Sequence, residues 1–220
     1  MKAIRLFLLA IAIQFAAQAF GQTNIDDIDI ILPDINNAQD RAMLEGRAKE
    51  LVGQMNDYIS NMVDKNETSA NRWRFRKDCL GLFIGEGEPL TFNGVQRDGV
   101  KMEVTSVKYG NTVKNTRLMK VYFTNLINLL EKGTYTSITI TSTEVPQMEV
   151  STLKKVSEGI YQCTVTFTQN FLGKRGERGG YGDTTKKSVT VYFVMEETII
   201  GQELIPRLGD VAAGESHRTL

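Results

Sequence analysis

Residues 159–200, GIYQCTVTFTQNFLGKRGERGGYGDTTKKSVTVYFVMEETII, alternate apolar and polar positions on both sides of a glycine-rich centre. The apolar positions that share one face are Tyr161, Cys163, Val165 and Phe167 in the first half, and Val189, Val191, Phe193 and Met195 in the second. A period of two residues is typical of β-strands that bury one face. The stretch therefore predicts two long strands joined as a hairpin.

The glycine-rich centre, NFLGKRGERGGYGDTTKK at 170–187, raises three alternatives. A Walker-type phosphate loop needs G-x-x-x-x-G-K-[ST] before a helix, and here the spacing is absent and a strand pattern follows. An RNA-binding tract would be a single short copy in a chain without net positive charge. Glycine tolerates positive φ, so we interpret the centre as the exposed tip of the hairpin. Its basic residues would be solvated and could contact an anionic partner, such as an acidic glycan or a lipid headgroup; they are Lys174, Arg175, Arg178, Lys186 and Lys187.

Elsewhere, apolar residues at steps of three and four predict three helices, at about 37–61, 70–83 and 115–132. Asn36 or Asn37 is expected to cap the first helix. Further strand patterns lie at 100–109 and from 135 to about 211. The sequence therefore predicts an α+β fold in a single domain at 39–212, followed by a flexible tail at 213–220.

The N-terminal residues MKAIRLFLLAIAIQFAAQAFGQ combine two basic residues, an apolar run at 6–17 and small residues near Ala19 and Gly21. This pattern is typical of a secretory signal peptide at 1–21, and the apolar run is short for a membrane span. We therefore expect a secreted or periplasmic protein without a membrane span, cleaved near Ala19 or Gly21. An extended arm is expected at 22–38.

Composition argues against several classes of function. The 220 residues carry 26 basic and 26 acidic side chains, so nothing in the net charge favours a nucleic-acid partner. The only histidine is His217, and neither G-x-S-x-G nor H-E-x-x-H occurs, so no nucleophilic or zinc site and no cofactor is indicated. Cys79 and Cys163 form either a disulfide, if the compartment is oxidising, or two separate small buried side chains.

Three further segments add a resemblance: LGLFIGEGE at 80–88, LINLLEKGTYTSITITSTEV at 126–145 and IPRLGDV at 205–211. Together with the hairpin they resemble the NTF2-like (cystatin-like α+β, SnoaL-like) superfamily, and within it secreted Bacteroidetes-type proteins of unassigned function. The resemblance implies a cone, in which three N-terminal helices pack on a curved antiparallel sheet.

Enzymes of that superfamily act from inside the cone with an Asp base and Tyr or protonated Asp donors. The resemblance implies Asp78, Tyr135 and Tyr161 as catalytic candidates here. Because no catalytic signature is complete, the prediction is a non-catalytic module that binds an unknown small ligand, an envelope protein or a glycan. The alternative is a small-molecule isomerase or dehydratase of the ketosteroid isomerase type.

Threonines on the outer face, such as Thr164 and Thr190, could also pair two copies as a homodimer, which light scattering over a concentration series tests.

Overall fold

The computed structural model describes residues 33–108, 111–199 and 201–220. The predicted α+β class is confirmed, because three α-helices pack with one large mixed sheet in the described part of the chain. The helices are α1 Ala38–Met62, α2 Ser69–Leu80 and α3 Met119–Glu131. Short 3-10 turns lie at Ile84–Gly87, Val145–Gln147 and Gly176–Arg178.

The strands fall into two sheets. The smaller sheet pairs β1 Leu90–Phe92 with β2 Val95–Arg97. The larger one contains β3 Lys101–Lys108, β4 Asn111–Leu118, β5 Ser137–Ser142, β6 Glu149–Val150, β7 Lys154–Ser157, β8 Ile160–Lys174, β9 Gly180–Thr198 and β10 Gly201–Arg218. Its order is β4-β3-β10-β9-β8-β5, and β6 and β7 also pair with β8.

Two parts of the expected architecture are wrong. The sheet is mixed rather than antiparallel, because β3 and β10 run parallel and pair at Met102 and Val211. The helices are not all N-terminal, because α3 follows β4. Residues 115–118, expected to begin the third helix, instead pair with β3, with Leu118 opposite Lys101.

Helix α1 forms as its sequence predicts. The Asn37 side chain caps it by accepting a hydrogen bond from the Gln39 N–H at 2.8 Å, which satisfies one of the free donors of the first turn. Its apolar stripe is buried at Leu44, Ala48, Val52, Met55, Ile59 and Met62. This stripe belongs to one core that also takes in α3 and the inner face of the sheet.

The predicted long hairpin is present as β8 and β9, whose pairing runs from Ile160 opposite Val194 to Lys174 opposite Gly180. Only residues 175–179 form its tip, so the strands extend well into the glycine-rich centre. At the other end of the chain, residues 213–218 continue β10 rather than forming a tail, and Ala213 and Ser216 are buried there.

The expected signal peptide at 1–21 and the first part of the arm, to residue 32, lie outside the described residues. Residues 33–37 lead through a turn into α1. No helix within the described ranges is long and apolar enough to cross a membrane.

Candidate functional site

A cavity of about 200 Å³ lies between α3 and the inner face of the sheet. Helix α3 forms one wall, and strands β3, β8 and β9 form the other. Aliphatic and aromatic side chains dominate the lining, with polar and charged groups on the sheet side. The lining residues are Val104, Thr105, Tyr122, Leu126, Leu129, Tyr135, Gln169, Phe171, Tyr181, Asp183, Thr185 and Lys187.

Strand β9 supplies the polar part of the wall. Tyr181, Asp183, Thr185 and Lys187 occupy alternate positions, so the pleat turns all four to one side of the sheet. Further along β9 the same face carries the buried core residues Val189, Val191 and Phe193. Asp183, Thr185 and Lys187 are only 9%, 3% and 5% exposed, so two ionisable groups are held away from bulk water.

Thr185 is the centre of a buried hydrogen-bond network. Its Oγ1 lies 2.8 Å from Ser216 Oγ on β10 and 3.2 Å from Thr105 Oγ1 on β3. It also lies 3.4 Å from Asp183 Oδ1, to which it donates. The network thus joins strands β3, β9 and β10 in the wall of the cavity and connects Asp183 to them.

The Asp183 carboxyl is a weaker acid than an exposed aspartate. Burial raises its pKa, while hydrogen bonds from Tyr181 and Thr185 and the charge of Lys187 act in the opposite direction. Across the cavity, burial also raises the pKa of Tyr122, and the Asp183 charge adds to that shift. Asp183 therefore interacts with Tyr181 through a hydrogen bond and with Tyr122 through its charge.

Lys187 reaches past β10 toward β3. Its Nζ donates a hydrogen bond of 2.8 Å to the Glu103 carbonyl and lies 3.9 Å from Met102 Sδ. Burial lowers the pKa of Lys187 to about 8; the charges of Asp183 and Glu103 oppose this shift and the charge of Lys114 adds to it. A substantial fraction of this amine is therefore neutral near physiological pH.

An irregularity in the sheet accommodates the lysine. Strands β3 and β10 pair at a single residue pair, and the β10 register shifts between Ala213 and Ser216. Side chains satisfy backbone groups there: Ala213 N–H donates to Glu103 Oε2 at 3.0 Å, and Lys114 Nζ donates to the Ala213 carbonyl. Lys187 donates to the Glu103 carbonyl in the same region and so supplies the partner that this partly buried backbone group needs.

Aromatic rings form the other part of the lining. The Phe171 ring centroid lies 5.9 Å from that of Tyr135 and 6.1 Å from that of Tyr181. Two exposed guanidiniums cover these rings: Arg175 lies 4.9 Å from the Tyr135 centroid and Arg218 lies 5.9 Å from that of Tyr181. The aromatic end thus lies beside positive surface charge, while Lys187 is buried in the wall.

The catalytic candidates are separated in space. Tyr135 lines the cavity and is buried. Asp78 is exposed on α2 in an open surface depression with Arg76, Lys77 and Glu88, so it does not face the helix–sheet cavity. Tyr161 is half-buried on β8 and is not part of the cavity lining.

Among the basic residues predicted to be solvated at the hairpin tip, Lys187 is the exception. Lys174, Arg175 and Lys186 are exposed, and Arg178 lies in the tip itself. Lys187 was expected to be solvated with them, but it is buried because it occupies an inward position of β9. Contact of this loop with an anionic partner stays a prediction for the exposed residues.

Sequence reasoning missed Asp183, Thr185 and Thr105 as site residues. The signal for two of them was available: the face of Val189 and Val191, continued backward in steps of two, passes through 187, 185 and 183. The glycines between 173 and 182 obscured it, because they suggested a loop where the strand continues. Thr105 joins the site only through tertiary packing of β3.

Cys79 on α2 and Cys163 on β8 are both buried and unpaired, as two separate small side chains. Burial raises the pKa of both thiols, which makes them weak nucleophiles. Within the described ranges, no group of three His, Cys, Asp or Glu side chains is placed to hold a metal ion.

Comparison of the chain with protein-family models, with curated proteins and with solved structures found no match.

Proposed function

We propose that this chain is a binding module for a small, largely apolar molecule with a polar end, and that the cavity under α3 is its site. The observation that carries the proposal is the placement of Asp183 and Lys187 in the wall of a largely apolar cavity. Ligand sites typically combine apolar walls with a few polar groups that fix orientation. Burying ionisable groups is costly, and a bound polar group would offset part of that cost.

The size of the cavity limits the ligand. A dry protein cavity of about 150 Å³ holds one benzene molecule, so about 200 Å³ suits one ring with a short substituent. The rings of Tyr135, Phe171 and Tyr181 would pack against such a ring, and Asp183 or Lys187 would meet its substituent.

Two expectations from the sequence accompany this proposal. The signal-peptide pattern at 1–21 supports a secreted or periplasmic location, where the ligand would come from the cell envelope or its surroundings. The resemblance to the NTF2-like superfamily supports a pocket formed by helices and a sheet. Membership of that superfamily is part of the proposal.

Titration with benzyl alcohol, followed by NMR chemical shifts, tests the binding proposal. We expect saturable binding with a Kd on the order of 1 mM, as suits a ligand of this size. Leu129→Trp should abolish binding, because Leu129 lines the cavity and an indole there would fill it.

The matched control is Leu130→Trp. Leu130 is the next residue of α3 and is similarly half-buried, but it does not line the cavity. It should retain wild-type affinity for benzyl alcohol. Absence of saturable binding to the folded wild-type chain, or equal loss of binding in both variants, would contradict the proposal.

A second candidate function is double-bond isomerisation, with Asp183 rather than Asp78 as the base. It is favoured by the raised pKa of a carboxyl that faces a largely apolar cavity beside Tyr181, Tyr122 and Thr185. The carboxylate would remove a proton from the carbon between a ketone and a double bond. It would return the proton at the far end of the double bond, while a tyrosine hydroxyl donates to the enolate oxygen.

The isomerisation of 3-cyclohexen-1-one to its conjugated isomer tests this function by ultraviolet absorbance. Asp183→Asn should lower the rate by about a hundredfold or more, since it removes a general base. Asp78→Asn is the control and should leave the rate unchanged, because Asp78 is exposed on α2. If wild type does not exceed the buffer rate, or if Asp183→Asn retains full activity, the chain is not this isomerase.

A further inference from the structure

We propose that Lys187 captures small aldehydes or ketones in the cavity by forming a covalent imine through its Nζ. This inference rests on the proposed function, because the carbonyl compound must first enter the same cavity. It adds to that proposal the class of substrate, small aldehydes or ketones, and the atom that reacts with them, Lys187 Nζ.

The position of the amine is the first argument. Lys187 lies in the cavity wall and is 5% exposed, and its Nζ is held by the Glu103 carbonyl at 2.8 Å. A carbonyl oxygen accepts a hydrogen bond from the amine as well as from the ammonium ion, so this anchor persists when the proton leaves. None of the ion pairs among the described residues includes Lys187, and the charges of Asp183 and Glu103 only partly oppose the lowering of its pKa by burial.

The protonation state is the second argument. An amine attacks a carbonyl carbon only through the lone pair of its neutral form. With a pKa of about 8, roughly a quarter of the Lys187 side chains would be neutral at pH 7.5. An exposed lysine with an ordinary pKa would be neutral in about one copy in a thousand. The buried amine is therefore far better prepared to react than its solvated neighbours.

The chemistry balances without an oxidant or a reductant. The Nζ lone pair forms a bond to the carbonyl carbon, the C=O π electrons move to oxygen, and a proton moves from nitrogen to oxygen to give a carbinolamine. The hydroxyl then takes a proton and leaves as water, while the nitrogen lone pair forms the C=N bond of an iminium ion. The iminium nitrogen loses its remaining proton, which replaces the one taken by the hydroxyl. Asp183 and Thr185, at the preceding inward positions of β9, line the same polar wall, and Asp183 would take and return these protons. The products are the imine and one water molecule.

The apolar lining of the cavity limits which carbonyl compounds fit. Phe171, Tyr135 and Leu129 offer a surface for an aromatic or short aliphatic body. The volume of about 200 Å³ suits a compound of the size of benzaldehyde better than a long chain or a sugar of several rings.

Reductive trapping in the wild-type chain tests the inference. The folded protein is treated with a limiting amount of benzaldehyde and sodium cyanoborohydride at pH 7.5, digested, and analysed by mass spectrometry. We expect Lys187 to gain the benzyl group at least about tenfold faster than Lys186, because burial increases the neutral fraction of the Lys187 amine. Lys186 is an internal control, as it is the adjacent residue of β9 and points to solvent.

A competition separates this inference from the binding proposal. Excess benzyl alcohol, which fills the cavity but cannot form an imine, should suppress labelling of Lys187 and leave labelling of Lys186 unchanged. If benzyl alcohol binds but Lys187 is labelled no faster than Lys186, imine formation is wrong and the binding proposal stands. If benzyl alcohol does not bind and Lys187 is not labelled preferentially, both are wrong.

Discussion

At the scale of single residues, Lys187 and Asp183 distinguish the cavity wall, because burial makes the charged form of each side chain less stable. Burial opposes the positive charge of Lys187 and the negative charge of Asp183, and each is partly stabilised by the charge of the other. Evolution can remove such groups from a core by apolar substitution at little cost in stability. The proposed ligand would account for the presence of two such groups beside a cavity.

The titration of Lys187 predicts how stability depends on pH. Its pKa is about 8 in the folded chain, below the 10.5 of an ordinary lysine. Between these values the unfolded chain binds more protons than the folded chain, so the free energy of unfolding rises with pH. Relative to Lys187→Met, wild type should gain on the order of 2 kcal/mol between pH 8 and pH 10. Urea denaturation at a series of pH values measures this difference.

Comparison with the variant is needed because other groups titrate in the same range. Burial raises the pKa of Cys79 and Cys163, so these thiols make the folded chain less stable as pH rises above their unfolded pKa. Both proteins contain them, and their contribution cancels in the difference. Parallel stability curves for wild type and Lys187→Met between pH 8 and pH 10 would show that Lys187 titrates normally.

The residue scale is also where sequence reasoning succeeded least. The inward face of the β8–β9 hairpin was predictable at Cys163, Val165, Val189 and Val191, because apolar side chains mark it. At Asp183 and Lys187 the same face carries charges, and charged residues on alternating positions normally indicate solvent. These two side chains are buried only because β3 and α3 pack against that part of the strand.

At the scale of elements, the glycines of the hairpin have two different functions. Gly176 and Gly179 have φ values of 59° and 85°, so they reverse the chain as predicted. Gly173 lies within β8, where it allows a close approach: a Cβ built there would be 2.5 Å from Tyr135 Cε1. The missing side chain at Gly173 thus makes room for a ring that lines the cavity.

Gly173→Ala tests this packing. The added methyl group requires Tyr135 to move, so we expect a loss of about 1–3 kcal/mol in the free energy of unfolding, together with weaker binding of benzyl alcohol. Gly46→Ala on α1 is the control, because a Cβ there has open space. It should stabilise the chain by about 0.5–1 kcal/mol, as alanine favours a helix. A Gly173→Ala variant as stable as wild type would show that Tyr135 is not held against the strand.

The elements that were missed have a physical explanation. Strand β4, NTVKNTRL, is exposed from Val113 to Arg117 and pairs only with β3 at the edge of the sheet. Residues 113–117 bury no face, so they show no alternation of apolar residues, and the sequence pattern assigns 115–118 to the helix that follows. By contrast α1 and β8 bury a full face, and their patterns were sufficient to predict them.

At the scale of the whole molecule, the α+β class was predictable but the order of the strands was not. Local periodicity identifies strands, whereas the parallel pairing of β3 with β10 joins segments about a hundred residues apart. That pairing places Thr105 beside Thr185 and Glu103 beside Lys187. The cavity therefore depends on long-range topology, which no local pattern specifies.

The most direct test of the cavity as a ligand site is the benzyl alcohol titration, read amide by amide in the isotope-labelled wild-type chain. We expect saturable shifts centred on residues 181–187 of β9 and 122–129 of α3, the two walls of the cavity. Amides around Asp78 on α2 should be little affected. Shifts centred on α2, or spread over the surface without saturation, would contradict the assignment of the site.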